Sequence, residues 1–122
     1  MRGAGNTSMK TTLRPEHWSI DAGAHEVARL DIPADANRER TFEVFVALAV
    51  RGARDGATHG LRVLVNGALE WSRTVPTHPG PGDTLDLRLH RTVPVGLPLR
   101  LTAIAEVKQA ARVRLTITAD EA

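Results

Sequence analysis

An antiparallel β-sandwich of jelly-roll type is the fold that this 122-residue chain predicts, and three observations predict it. Short runs alternate apolar and polar residues with the two-residue period of half-buried strands. Glycines and prolines punctuate the chain between them, at the spacing of about seven or eight strands. No stretch carries a convincing helical pattern. A small β-barrel is the alternative.

Residues 1–10 read as a disordered leader, and residues 11–122 as one domain. Thr11 to Ile20 gives a first strand with Trp18 and Ile20 on one face, and Val27 to Ile32 a second, stopped by Pro33. Asp35 to Arg40 is a polar connection with room for one short helical turn. Phe42, Val44, Val46, Leu48 and Val50 then alternate without a break and form the strongest strand in the chain. Its other face carries Glu43, Phe45, Ala47 and Ala49, so it is partly apolar on both sides. Such a strand is expected at the centre of a sheet and covered twice, the second cover being the N-terminal strand or another copy.

Arg51 to Gly60 is a glycine-punctuated loop, and Asn66-Gly67 marks a hairpin. A two-residue turn there pairs Val63 with Glu70 and Leu61 with Ser72, apolar against polar. A three-residue loop, Val65-Asn66-Gly67 with Gly67 left-handed, pairs Val63 with Leu69 and Leu61 with Trp71. That register buries one clean face and is the expected one. After the Pro76–Gly82 stretch, Leu85, Leu87 and Leu89 alternate with Asp86 and Arg88. The last two strands close around Gln109, pairing Leu101 with Ile117, Ala103 with Leu115 and Ala105 with Val113, and setting Glu106 opposite Arg112.

A single domain of this length buries roughly two-thirds of its unfolded surface and needs no metal or disulfide to hold a core. With no cysteine, disulfide frameworks, thiolate zinc sites, iron–sulfur clusters and cysteine nucleophiles are excluded. The N-terminal residues lack the apolar stretch of a secretory signal. The longest apolar run, Val44 to Val50, is far short of the ~20 residues that span a bilayer. A cytoplasmic protein without membrane contact is the expectation. Sixteen basic residues against fourteen acidic ones are near balance. The pI near 9.9 reflects the absence of Tyr and Cys, which leaves little to titrate between His and Lys.

Catalytic motifs are missing. There is no Gly-x-Ser-x-Gly elbow among the three serines, no His-Glu-x-x-His and no Walker loop. Asp83 and Asp86 differ in parity, so one strand points them to opposite faces. Four aromatic residues in all give little stacking surface for sugars or single-stranded nucleic acid. Trp71 is expected in the core. Arg62, Arg88, Arg100, Arg112 and Arg114 take the outward parity of their strands, where interleaved acids and threonines make a solvated face.

One constellation follows from the hairpin. Its direction brings the loops 51–60 and 76–83 to the same end of the sandwich, where Arg51, Arg54, Asp55, His59, His78 and Asp83 are candidates for binding a small polar or anionic ligand or a carbohydrate. His59, His78 and an aspartate would form the metal variant of that site, and an enzyme would place its site at the same end, although no cofactor is expected. The leading expectation is a non-catalytic binding or assembly module that forms a homo-oligomer. Its candidate interface is Phe45, Ala47, Ala49 and Ile104, apolar residues on otherwise polar faces.

Overall fold

Eight antiparallel strands and no helix make up residues 14–52 and 54–122, the part of the chain described by a computed structural model. They are β1 (His17–Asp21), β2 (Val27–Ile32), β3 (Arg40–Gly52), β4 (Thr58–Val65), β5 (Ala68–Pro76), β6 (Gly80–Val93), β7 (Leu99–Lys108) and β8 (Ala110–Glu121). One sheet has the order β1-β8-β3-β6 and the other β2-β7-β4-β5. Two interleaved four-stranded sheets of this order are a jelly roll, and the barrel alternative falls away. The expected leader, 1–10, and the start of the expected first strand lie outside the described residues. Among the described residues no helix is long and apolar enough to cross a membrane.

The alternating patterns become inner faces. Phe42, Val44, Val46, Leu48 and Val50 of β3 are buried against Leu61 and Val63 of β4 and Leu101, Ala103 and Ala105 of β7. Each such aliphatic or aromatic side chain contributes roughly 1.5–3 kcal/mol on burial. β3 sits between β8 and β6, so its backbone is hydrogen-bonded on both edges. β6 is an edge strand, where a proline is tolerated.

Three expectations change. At the hairpin, Val65 pairs with Ala68 across a two-residue turn, with Asn66 at φ 50° and Gly67 at φ 85°. Both central residues with positive φ make this a type I′ turn, whose twist suits the flanking strands. A bulge then shifts the register between Val63 and Leu64, so that Val63 faces Trp71 and Leu61 faces Arg73. The extra residue returns β5 to the parity that buries Trp71, the same parity that a three-residue loop would give. Trp71 is half-buried against the core.

The predicted closing hairpin does not exist. β7 and β8 belong to different sheets: β7 pairs with β2 and β4, and β8 with β1 and β3. Gln109, at φ 57°, turns the chain from one sheet into the other. Glu106 is bonded to Arg62 on β4 at 2.7 Å, and Arg112 to the Ala24 carbonyl at 3.1 Å. Alternation shows which side chains point inward, and it cannot distinguish a partner beside a strand from one across the core.

Finally, among the described residues nothing covers β3 a second time. β1 pairs with β8 along the edge of the same sheet, leaving Phe45, Ala47 and Ala49 half-buried on an open outer face.

Candidate functional site

Strand direction sorts the connections into two ends. Residues 22–26, 54–57, 77–79 and 109 lie at one, and residues 33–39, 66–67 and 94–98 lie at the other beside Glu16 and Glu121.

At the first end the two predicted loops do meet. Gly52 bridges Pro79 and pairs with Gly80, and the Thr77 N–H donates to the Ala57 carbonyl at 2.8 Å. Gly52 permits this approach, because a Cβ there would stand 2.7 Å from the His78 carbonyl oxygen. The candidate residues divide. His59 is fully buried, with Nδ1 2.6 Å from the Thr77 hydroxyl and Nε2 unpartnered. Asp83 accepts the backbone N–H groups of His78 at 3.1 Å and Thr84 at 2.9 Å. Arg51, Arg54, Asp55 and His78 are exposed. His59 and Asp83 thus hold the two loops in place, which leaves the exposed four for any ligand. Among the described residues no three His, Asp or Glu side chains are grouped to hold a metal ion.

The His78 and Thr84 N–H bonds hold the Asp83 carboxyl below the ordinary 3.8, with His59 and His78 adding smaller electrostatic contributions. A folded pKa below the unfolded value stabilises at pH above 3.8 and loses that contribution as pH falls through the lowered value. Asp83→Asn is therefore expected to melt below the unmodified chain at neutral pH. Thermal melts of the two proteins should converge as the pH falls through the lowered Asp83 value.

At the second end, the sequence hid an ionic cluster. Arg40, the first residue of β3, is buried at 3% exposure, with Nη1 2.8 Å from Glu16 and Nη2 2.8 Å from the Pro33 carbonyl. Arg38 joins Glu16 at 3.0 Å and Glu121 at 2.9 Å, and the Trp18 indole N–H donates to Glu16 at 2.9 Å. The Arg38 hydrogen bond, ahead of smaller contributions, holds the Glu121 carboxyl below the ordinary 4.5. Arg40 shares the inward parity of Phe42 and Val44, and that was the available signal. A groove of about 680 Å³ lies nearby, with Ile32, Pro33, Leu97 and Pro98 around the Asn66-Gly67 turn.

The candidate interface is split. Phe45, Ala47 and Ala49 lie on the outer face of β1-β8-β3-β6, whereas Ile104 lies on the outer face of the opposite sheet, between Val27 and Arg62. One flat partner cannot cover both. The outward arginines are divided in the same way: Arg62 and Arg100 belong to one face, Arg88 and Arg114 to the other.

On the β3 face the side chains stand in rows across the strands. Glu43 lies between Asp120 and His90, with His17 beyond Asp120. Phe45 lies between Thr118 and Arg88, whose guanidinium stacks 4.3 Å from the ring centroid. Ala47 lies between Thr116 and Asp86, with Asp21 beyond Thr116, and Ala49 between Arg114 and Thr84. A hollow of about 230 Å³ opens beside Phe45 toward Glu43 and Asp120.

Comparison with protein families finds no match, and comparison with curated proteins finds none. Comparison with solved structures does find relatives in shape. Eiger TNF from S. frugiperda is 6% identical, with a TM-score of 0.53 covering 88% of this chain and 91% of that one. Dimeric latent PorU from Porphyromonas gingivalis is 18% identical at TM-score 0.50, covering 85% of this chain and 11% of PorU. The D431N mutant VP2 protein of infectious bursal disease virus, from derived T=1 particles, is 14% identical at TM-score 0.50, covering 88% and 32%. The chain thus spans about a tenth of PorU and a third of VP2. At these identities the likeness is one of fold, and it places the chain among jelly-roll sandwiches.

Proposed function

We propose that this chain is a non-catalytic assembly module that binds copies of itself through the outer face of the β1-β8-β3-β6 sheet. The observation that carries the reading is the row Phe45, Ala47 and Ala49, half-buried on an inner strand and, among the described residues, uncovered. Small and threonine side chains around it (Thr84, Thr116 and Thr118) keep the face flat enough for another sheet to approach. Two proteins of similar shape, dimeric latent PorU and the VP2 of T=1 particles, support the reading.

Light scattering after size exclusion tests it. The unmodified chain is expected to run above monomer mass at about 100 µM. Phe45→Glu, which buries an unpaired charge in any such contact, is expected to run as a monomer with unchanged circular dichroism. A monomeric unmodified chain refutes the reading. An oligomer indifferent to Phe45→Glu moves the contact to another surface.

A further inference from the structure

Resting on that self-association, we infer that two copies pack face to face about a two-fold axis crossing β3 between Phe45 and Ala47, perpendicular to the strands. The argument is electrostatic and steric. Along the strand direction, the Glu43 row carries two carboxylates and the Phe45 row one guanidinium. The Ala47 row carries two carboxylates, Asp86 and Asp21, and the Ala49 row one guanidinium.

A copy stacked with its strands running the same way lays each row on itself, so that each row meets its own net charge. An axis through Phe45 lays Arg88 on the second copy's Arg88 and Phe45 on its Phe45, and brings together the four carboxylates of the first and third rows with only His17 and His90 beside them. An axis through Ala47 lays the third row on itself. Crossing between them sets the first row on the fourth and the second on the third, so that each of the four rows meets opposite charge.

The same operation matches individual side chains, because an axis perpendicular to the strands keeps each strand above its own equivalent. Arg88 meets the second copy's Asp86, Asp120 meets its Arg114, and the Phe45 ring meets its Ala47, large against small. Among the described residues Arg88 contacts the Phe45 ring and has no carboxylate partner, and Asp86 has no ion partner. Arg114 spends Nε and Nη2 on Asp21, leaving Nη1 without a partner among the described residues. The hollow lined by Glu43 and Asp120 lies where the second copy's Arg114 arrives. Stacked sheets ~10 Å apart, with strands within ~30°, place these side chains in reach. Four strands ~4.8 Å apart give a contact of about 500 Å² per copy, below the standard size, so the pair is expected to dissociate in the micromolar range.

A charge swap tests the axis by sedimentation velocity, with native mass spectrometry to identify mixed pairs. Arg88→Asp and Asp86→Arg alone are each expected to weaken self-association at least about tenfold. The double variant in one chain is expected to regain it. So is an equimolar mixture of the two single variants, as a heterodimer, since each then meets opposite charge at both contacts. Single variants that associate like the unmodified chain, or a mixture that stays monomeric, overturn the axis while leaving self-association standing. An unmodified chain that is monomeric at about 100 µM overturns self-association itself, and the axis with it.

Discussion

Phe42→Ala is expected to cost about 4 kcal/mol of stability and to lower Tm by about 15 °C. Phe42 is the largest fully buried side chain and begins the inner row of the strand held on both edges, opposite Arg91 on β6 and Glu121 on β8. Truncation removes the ring's transfer free energy and leaves a cavity that two hydrogen-bonded neighbours cannot collapse to fill. Urea unfolding checks it through a lower midpoint at unchanged slope. A loss under about 1.5 kcal/mol would mean that the two sheets close over the gap.

Phe42 also shows how far the sequence reaches. Period-two alternation marked its whole row, and every member of that row is buried. Alternation reports which face of a strand is inward, and that is a local property. Pairing is not local here. Six of the seven connections in this jelly roll cross between sheets, and Asn66-Gly67 alone joins neighbours within one. The hairpin was therefore legible as a hairpin, while Gln109 carried the same local signature and is a crossing. The bulge after Asn66-Gly67 escaped for a related reason, since one inserted residue leaves the apolar pattern intact while changing every partner.

The candidate site divides along the same line. Strand direction alone brought loops 51–60 and 76–83 to one end, because antiparallel order fixes which loops share an end. Burial of His59 behind Thr77 and capping of Asp83 by backbone N–H groups depend on loop geometry that composition does not carry. Phe45 and Ile104 share outward parity, but parity says nothing about which sheet a strand joins.

Arg40→Ala is expected to cost about 3 kcal/mol, and Arg40→Met about 1 kcal/mol. The Arg40 side chain is 2% exposed and its Glu16 partner 23%, so this pair is far better shielded than the surface pairs. Alanine removes the donors to Glu16 and to the Pro33 carbonyl together, and empties the space beside the Phe42 ring, whose centroid lies 5.5 Å from the guanidinium. Methionine refills that space and removes the buried Nε, which has no partner. Glu16 keeps Arg38 and the Trp18 indole in either variant, which limits the electrostatic loss. The gap between the two variants therefore measures packing, and the residual cost of methionine measures the ion pair. If methionine costs as much as alanine in urea unfolding, the ion pair dominates and the packing argument fails. The cluster also anchors β1, a five-residue edge strand whose other residues are exposed apart from half-buried Trp18. Amide exchange along the β1–β8 ladder is accordingly expected to accelerate in Arg40→Ala ahead of any change in β3.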